Sequence, residues 1–224
     1  MAAARSPFTF TEVTVYTTLT QPFPGPSTSP RTRGQAPIPP GTRSPRAAAP
    51  PRRARHPPAR TLSGMEIRPV PYDHPDAVTL DELVQQEYVR RYGDGDITPL
   101  DPEMFTPPHG TYLIAYDGGR PLATGGWRRQ EDTAEGYAVG DAEIKRMFVV
   151  PEARGRGLAR RILAALEADA RAAGRSRMVL ETGIKQPEAL ELYASCGYVP
   201  VEKFGLYRTY DDSRCMAKPL VTEG

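Results

Sequence analysis

The segment whose residue types and spacing most plainly suggest chemistry is Arg154-Gly155-Arg156-Gly157-Leu158-Ala159, a glycine-rich turn between an apolar strand and a helix. Gly155 and Gly157 let the backbone approach a bulky anion closely. The helix that follows starts with unpaired N–H groups and the positive end of its dipole at the turn, which together favour a phosphate. Arg154 and Arg156 add positive charge beside it.

Other phosphate motifs do not fit. The turn lacks the Lys-Ser/Thr ending of a P-loop, and Arg160 breaks the third glycine of a dinucleotide fingerprint. It does satisfy Arg/Gln-x-x-Gly-x-Gly/Ala, through Arg154, Gly157 and Ala159. A strand ending Val149-Val150-Pro151-Glu152 precedes it. About thirty residues later the chain reads PEALELYASCGY. In these motifs the chain, over roughly residues 66–220, resembles the GNAT (Gcn5-related) N-acetyltransferase superfamily, bacterial single-domain type, whose coenzyme A pyrophosphate signature is this turn.

The resemblance implies direct attack of an amine on the thioester of acetyl-CoA, with no metal. That reaction needs a neutral amine, a polarised carbonyl and a proton for the departing sulfur. The family places Tyr193 as the proton donor, and a phenol is protonated at neutral pH. Leu190, Tyr193 and Ala194 also share a helical face, so a core aromatic is the other reading. Glu143 stands where the histone-acetylating branch has a catalytic Glu. It could instead be a salt-bridge partner of Lys145 or Arg146, and Glu181 is the second choice of base. Phe148, Val149, Val150, Arg154, Gly155, Arg156, Gly157, Leu158 and Ala159 are the implied coenzyme contacts, with a backbone amide of Phe148 or Val149 facing the thioester oxygen. Lys185 is a plausible phosphate contact.

These groups need elements to hold them. Glu66 to Val70 reads as a strand. Thr79 to Tyr92 is helical, with Leu80, Leu83, Val84 and Tyr88 on one side. Two apolar segments around Asp117-Gly118-Gly119 form a hairpin. Ala142 to Val150, Arg177 to Thr182, Tyr198 to Val201 and Arg214 to Pro219 are further strands. Gly157 to Ala173 and Pro187 to Cys196 are helices, the latter with Pro at its start and Gly197 past its end. Alternation along the fourth strand puts Glu143, Lys145, Met147 and Val149 on one face and Ile144, Arg146, Phe148 and Val150 on the other. The expected fold is α/β of GNAT type: a mixed sheet of six to seven strands flanked by about four helices. The acceptor pocket is expected from residues 79–97, the Trp127 strand end and the Phe204-Gly205-Leu206-Tyr207 loop.

Composition divides the chain. Residues 1–64 hold 13 of the 25 prolines, nine arginines and one acidic residue, a formal charge of +8, while residues 65–224 carry −6. The first part reads as a disordered Pro/Arg-rich extension, with Met65 as a possible true start. A basic arm touching nucleic acid weakly and an organelle transit peptide are its other readings. The acidic remainder mildly favours a cationic acceptor. Cys196 and Cys215 read as structural thiols, and His74 and His109 as surface residues. No apolar run is long enough to span a membrane, so a cytoplasmic protein, monomer or homodimer, is expected. The leading expectation is acetyl transfer to a primary amine of a small molecule. Acetylation of a protein Lys or N-terminus, or a non-catalytic coenzyme A-binding sensor, are the alternatives.

Overall fold

A computed structural model describes residues 64–220. The readings of the Pro/Arg-rich segment fall outside the described residues. Within them lies one mixed seven-stranded sheet, β1 (Met65–Pro69), β2 (Gly110–Asp117), β3 (Arg120–Gln130), β4 (Asp141–Val149), β5 (Arg177–Gly183), β6 (Val199–Pro200) and β7 (Ser213–Pro219). Their spatial order is β1-β2-β3-β4-β5-β7-β6. Every pairing is antiparallel except β4 with β5. That one parallel pair needs a crossover, which α2 (Leu158–Ala172) supplies.

Among the described residues three α-helices form, α1 (Pro75–Tyr92), α2 and α3 (Pro187–Ser195), with three 3₁₀ turns. Helix α1 starts four residues before the apolar pattern does. Pro75 fits the first turn, where its missing N–H costs nothing, and His74 Nδ1 caps the helix by accepting from Asp76 N at 3.1 Å. His74 is thus a capping residue. Gly93, in the left-handed region at φ 95°, ends the helix.

The two faces of the sheet are separately covered. Ile162, Leu163 and Leu166 of α2 are fully buried. Gly125 in mid-β3 makes room on that face, because any Cβ there would strike Met147 Sδ and come within 3.1 Å of Ile162. On the other face a Cβ at Gly126 would lie 2.7–2.8 Å from Tyr112 and Phe105. Trp127 alternates back toward α2, with 1% of its surface exposed and Nε1 donating to Asp169 at 2.7 Å. Its side chain belongs to that packing.

Candidate functional site

The register of β4 departs from simple alternation. Gly126 faces Lys145 while Thr124 faces Phe148, so Arg146 and Met147 together oppose Gly125. This is a β-bulge, and Arg146 adopts φ 57° in it. The bulge turns Arg146 away from the face it was expected to share with Ile144. Arg146 is 5% exposed and pairs with Asp81 of α1, Nε to Oδ1 at 2.6 Å, and with Asp96 of the loop that follows α1. Met147 takes the α2 side instead.

Just before the bulge the sheet opens. Strands β4 and β5 are paired from Asp141–Arg177 to Ile144–Leu180 and no further, although β4 runs on to Val149 and β5 to Gly183. The gap between them is lined by unpaired strand edges. Val150 N bonds Leu122 O on the β3 side at 2.9 Å. Backbone groups alternate along a strand, so the Val149 N–H, one residue out of step, faces the gap. Of the two amides expected to face a thioester oxygen, Val149 is the one so oriented.

At the mouth of the gap stands the turn. Gly155 and Gly157 have φ of 74° and 76°, and the space a side chain would take at either is open. Gly157 caps α2 without a side-chain hydrogen bond. The first amide past it to take a backbone acceptor is Arg161 N, on Gly157 O. The amides of residues 155–160 therefore have no acceptor among the described residues. Arg154 is exposed, with Nε donating to Val149 O at 3.1 Å, and Arg156 reaches Asp117 at 3.1 Å. Leu158 is buried and anchors the helix start. These are the residues that fit a diphosphate: free amides, a dipole and two cations with donors to spare. Lys185 is exposed, its Nζ 5.3 Å from the centre of the Tyr92 ring.

Tyr193 lies on α3, 5% exposed, edge-on to Tyr198 with ring centres 5.5 Å apart. Burial pushes its phenol pKa upward, with Tyr88 and Cys196 adding to the effect. It is a phenol that stays protonated, as a proton donor must.

Glu143 has no exposed side-chain surface. Its carboxylate takes Arg128 Nε at 2.8 Å, Lys145 Nζ at 2.7 Å, Tyr137 OH at 2.9 Å and Gln130 Nε2 at 3.3 Å. Burial alone would raise its pKa, but the charges of Lys145 and Arg128 outweigh that and hold it below the ordinary range. Of the two salt-bridge partners considered, Lys145 is engaged and Arg146 is not.

Asp96 lies within the 79–97 stretch expected to line the acceptor pocket, but nothing in the sequence singles it out. Burial works to raise its pKa, yet the Arg146 charge and hydrogen bonds from Thr98 pull it down to about 2. Tyr207 OH donates to Asp96 Oδ1 and accepts from Ile97 N, both at 2.9 Å. Asp96 so ties the loop after α1 to the loop before β7. A lone Asp after Gly-Asp-Gly carries no signal of this. Both cysteines are free thiols, Cys215 buried and Cys196 partly so.

A mixed sheet splayed at its one parallel pair, with a free-amide turn at the split, defines an acyl-CoA-type transferase site. Comparison with known proteins agrees. The Acetyltransferase (GNAT) family profile matches residues 77–198. An IAA acetyltransferase of Azospirillum brasilense is 38% identical over 132 residues, 56% of this chain and 82% of its own length. The structure of an acyl-CoA N-acyltransferase from Klebsiella pneumoniae superposes with a TM-score of 0.57 at 28% identity, covering 70% of this chain and 98% of that one. An acetyltransferase from Salmonella typhimurium, solved with its cofactor acetyl-CoA, shares the fold at a TM-score of 0.52 and 17% identity, over 71% and 96% of the two chains. The chain belongs to the GNAT acetyltransferase family.

Proposed function

We propose that the protein transfers the acetyl group of acetyl-CoA to a primary amine of a small molecule, by direct attack in a ternary complex in the cytoplasm. The observation that carries this reading is the gap between β4 and β5, with the free-amide turn that follows β4 beyond it. Bound coenzyme would supply an activated acetyl group. The amides of residues 155–160, with Arg154 and Arg156, would hold its pyrophosphate. Phe148, Val149 and Val150, at the end of β4 beyond its pairing with β5, would contact the coenzyme, and the Val149 N–H would polarise the carbonyl oxygen. Tyr193 would give its proton to the departing sulfur. Glu143, ionised and enclosed by four donors, would fix Lys145 and Arg128 in place rather than accept the amine's proton.

A small acceptor is favoured over a protein because Asp96, Ile97 and Tyr207 join two loops over the acceptor side. A polypeptide would need that side open. The test offers the protein acetyl-CoA with a pooled library of small amines in one tube and Lys-containing and free-N-terminus peptides in another. Mass spectrometry should find acetylated amines in the first only. Acetylation confined to the peptides would overturn the small-molecule reading.

A further inference from the structure

Resting on the acetyl-transfer reading, we propose that Glu181 is the catalytic base, the group that takes the proton from the acceptor ammonium. Ile144–Leu180 is the last pair joining β4 and β5, which makes Glu181 the first β5 residue past the apex of the gap. Its side chain is on the face of Val179, the residue in register with Glu143, and so on the acceptor side rather than the α2 side. It is half-buried. Oε1 accepts from Ser213 Oγ at 2.5 Å. Oε2 takes no hydrogen bond among the described residues. It borders the Phe204–Tyr207 loop, 3.8 Å from where a Cβ on Gly205 would lie.

The neighbours of Glu181 suit the task. Lys145 and Glu143 of β4 and Asp96 of the loop after α1 act on it through their charge, Ser213 of β7 bonds it, and the Cys215 thiol of β7 lies opposite it in register. Tyr137 OH closes the far side of the Gly205 space, 2.7 Å from that same Cβ position. Lys145 is already paired with Glu143, and Arg146 with Asp81 and Asp96, so no cation is bonded to Glu181. Burial, less fully opposed here than at Glu143, raises the Glu181 pKa toward the range where a base works. The two carboxylates therefore divide the work: the one with four donors stays ionised and fixed, and the one with a free oxygen exchanges protons.

The step balances. An acceptor R–NH3⁺ loses one proton to Glu181, directly or through one water. Its nitrogen lone pair forms the C–N bond as the C–S bond breaks. Sulfur leaves with the electron pair and takes the Tyr193 proton. The nitrogen sheds its second proton on becoming an amide, and this proton restores Tyr193. Glu181 returns its own to solvent.

The experiment uses the full chain with acetyl-CoA and two probes: the pooled alkylamines, which arrive protonated, and hydroxylamine, which is neutral near pH 7. Glu181→Gln should lower alkylamine acetylation by about 100-fold or more, while acetylhydroxamate formation changes by less than about threefold. In the wild type, alkylamine turnover should fall as pH drops through the Glu181 pKa, and this limb should vanish in Glu181→Gln. Ser213→Ala removes the donor that favours the carboxylate, so it should move the limb to higher pH even if the Gln variant does not fold. Equal losses with both probes, alkylamine turnover within about threefold of wild type, or a limb that ignores Ser213→Ala would overturn the assignment and leave acetyl transfer standing. A wild type that acetylates neither probe would overturn both.

Discussion

Ile144 of β4 and Leu180 of β5 form the last backbone pair before the only parallel strands of the sheet separate. Two residues on in β4 the bulge at Arg146 begins, and one residue on in β5 stands Glu181.

Tyr193→Phe should leave folding nearly unchanged, since the ring and its contact with Tyr198 remain. Amine acetylation should fall by about 100-fold or more, in kcat more than in KM for the coenzyme, as expected when a general acid is lost. Steady-state kinetics with each substrate varied gives both numbers. A variant within a few-fold of wild type would move the proton donor elsewhere.

Gly157→Val should act on coenzyme binding. A Cβ at this position meets nothing within 4 Å, so no packing is lost, but φ 76° is strained for a branched residue at a cost of about 1–3 kcal/mol. The turn would relax and misdirect its amides. Calorimetric titration should show acetyl-CoA affinity falling about tenfold or more, against a smaller effect for Arg156→Ala, which takes away one of several donors.

Asp96 predicts an acid-dependent loss of stability. Its folded pKa of about 2 lies below its ordinary value of 3.8, so its stabilisation is fully present above about pH 5 and is lost as pH falls through 3.8 toward 2. The difference corresponds to about 2 kcal/mol. Asp96→Asn should be less stable than wild type by about that amount near neutral pH, with the gap narrowing below about pH 4. Urea unfolding at a series of pH values measures it. A gap independent of pH would mean that Arg146 does not hold this carboxylate.

Gly110→Ala should be strongly destabilising, because its Cβ would be driven into the carbonyl oxygens of Trp127 and Met104, which are backbone and cannot rotate away. A loss above about 3 kcal/mol in chemical denaturation is expected.

The parts legible in the sequence are those set by local spacing. Arg154, Gly157 and Ala159 lie within one turn, and the α3 pattern around Tyr193 repeats over a single helix, so both could be read from adjacent residues. The hairpin at Asp117-Gly118-Gly119 and the Gly93 stop belong to the same kind. What was not legible depends on partners far along the chain. The bulge at Arg146 reflects its partner strand, where Gly125 leaves room for Met147, and the bulge then aims Arg146 at Asp96, 50 residues away. Simple alternation could not foresee that reversal. Nor could it separate Glu143 from Glu181, which are both acids in strands. They differ only because Arg128, Lys145, Tyr137 and Gln130 converge on the first. The bond from Trp127 Nε1 to the Asp169 carboxylate on α2, 42 residues on, was illegible for a related reason.

Acetyl transfer to an amine is tested with acetyl-CoA carrying a deuterated acetyl group and the pooled amines. Thiol release and labelled amine are followed together. Thiol should appear only when amines are present, each thiol matched by one labelled N-acetyl product. A protein that binds the coenzyme yet releases thiol at the same rate with or without amines, and labels none of them, would contradict it.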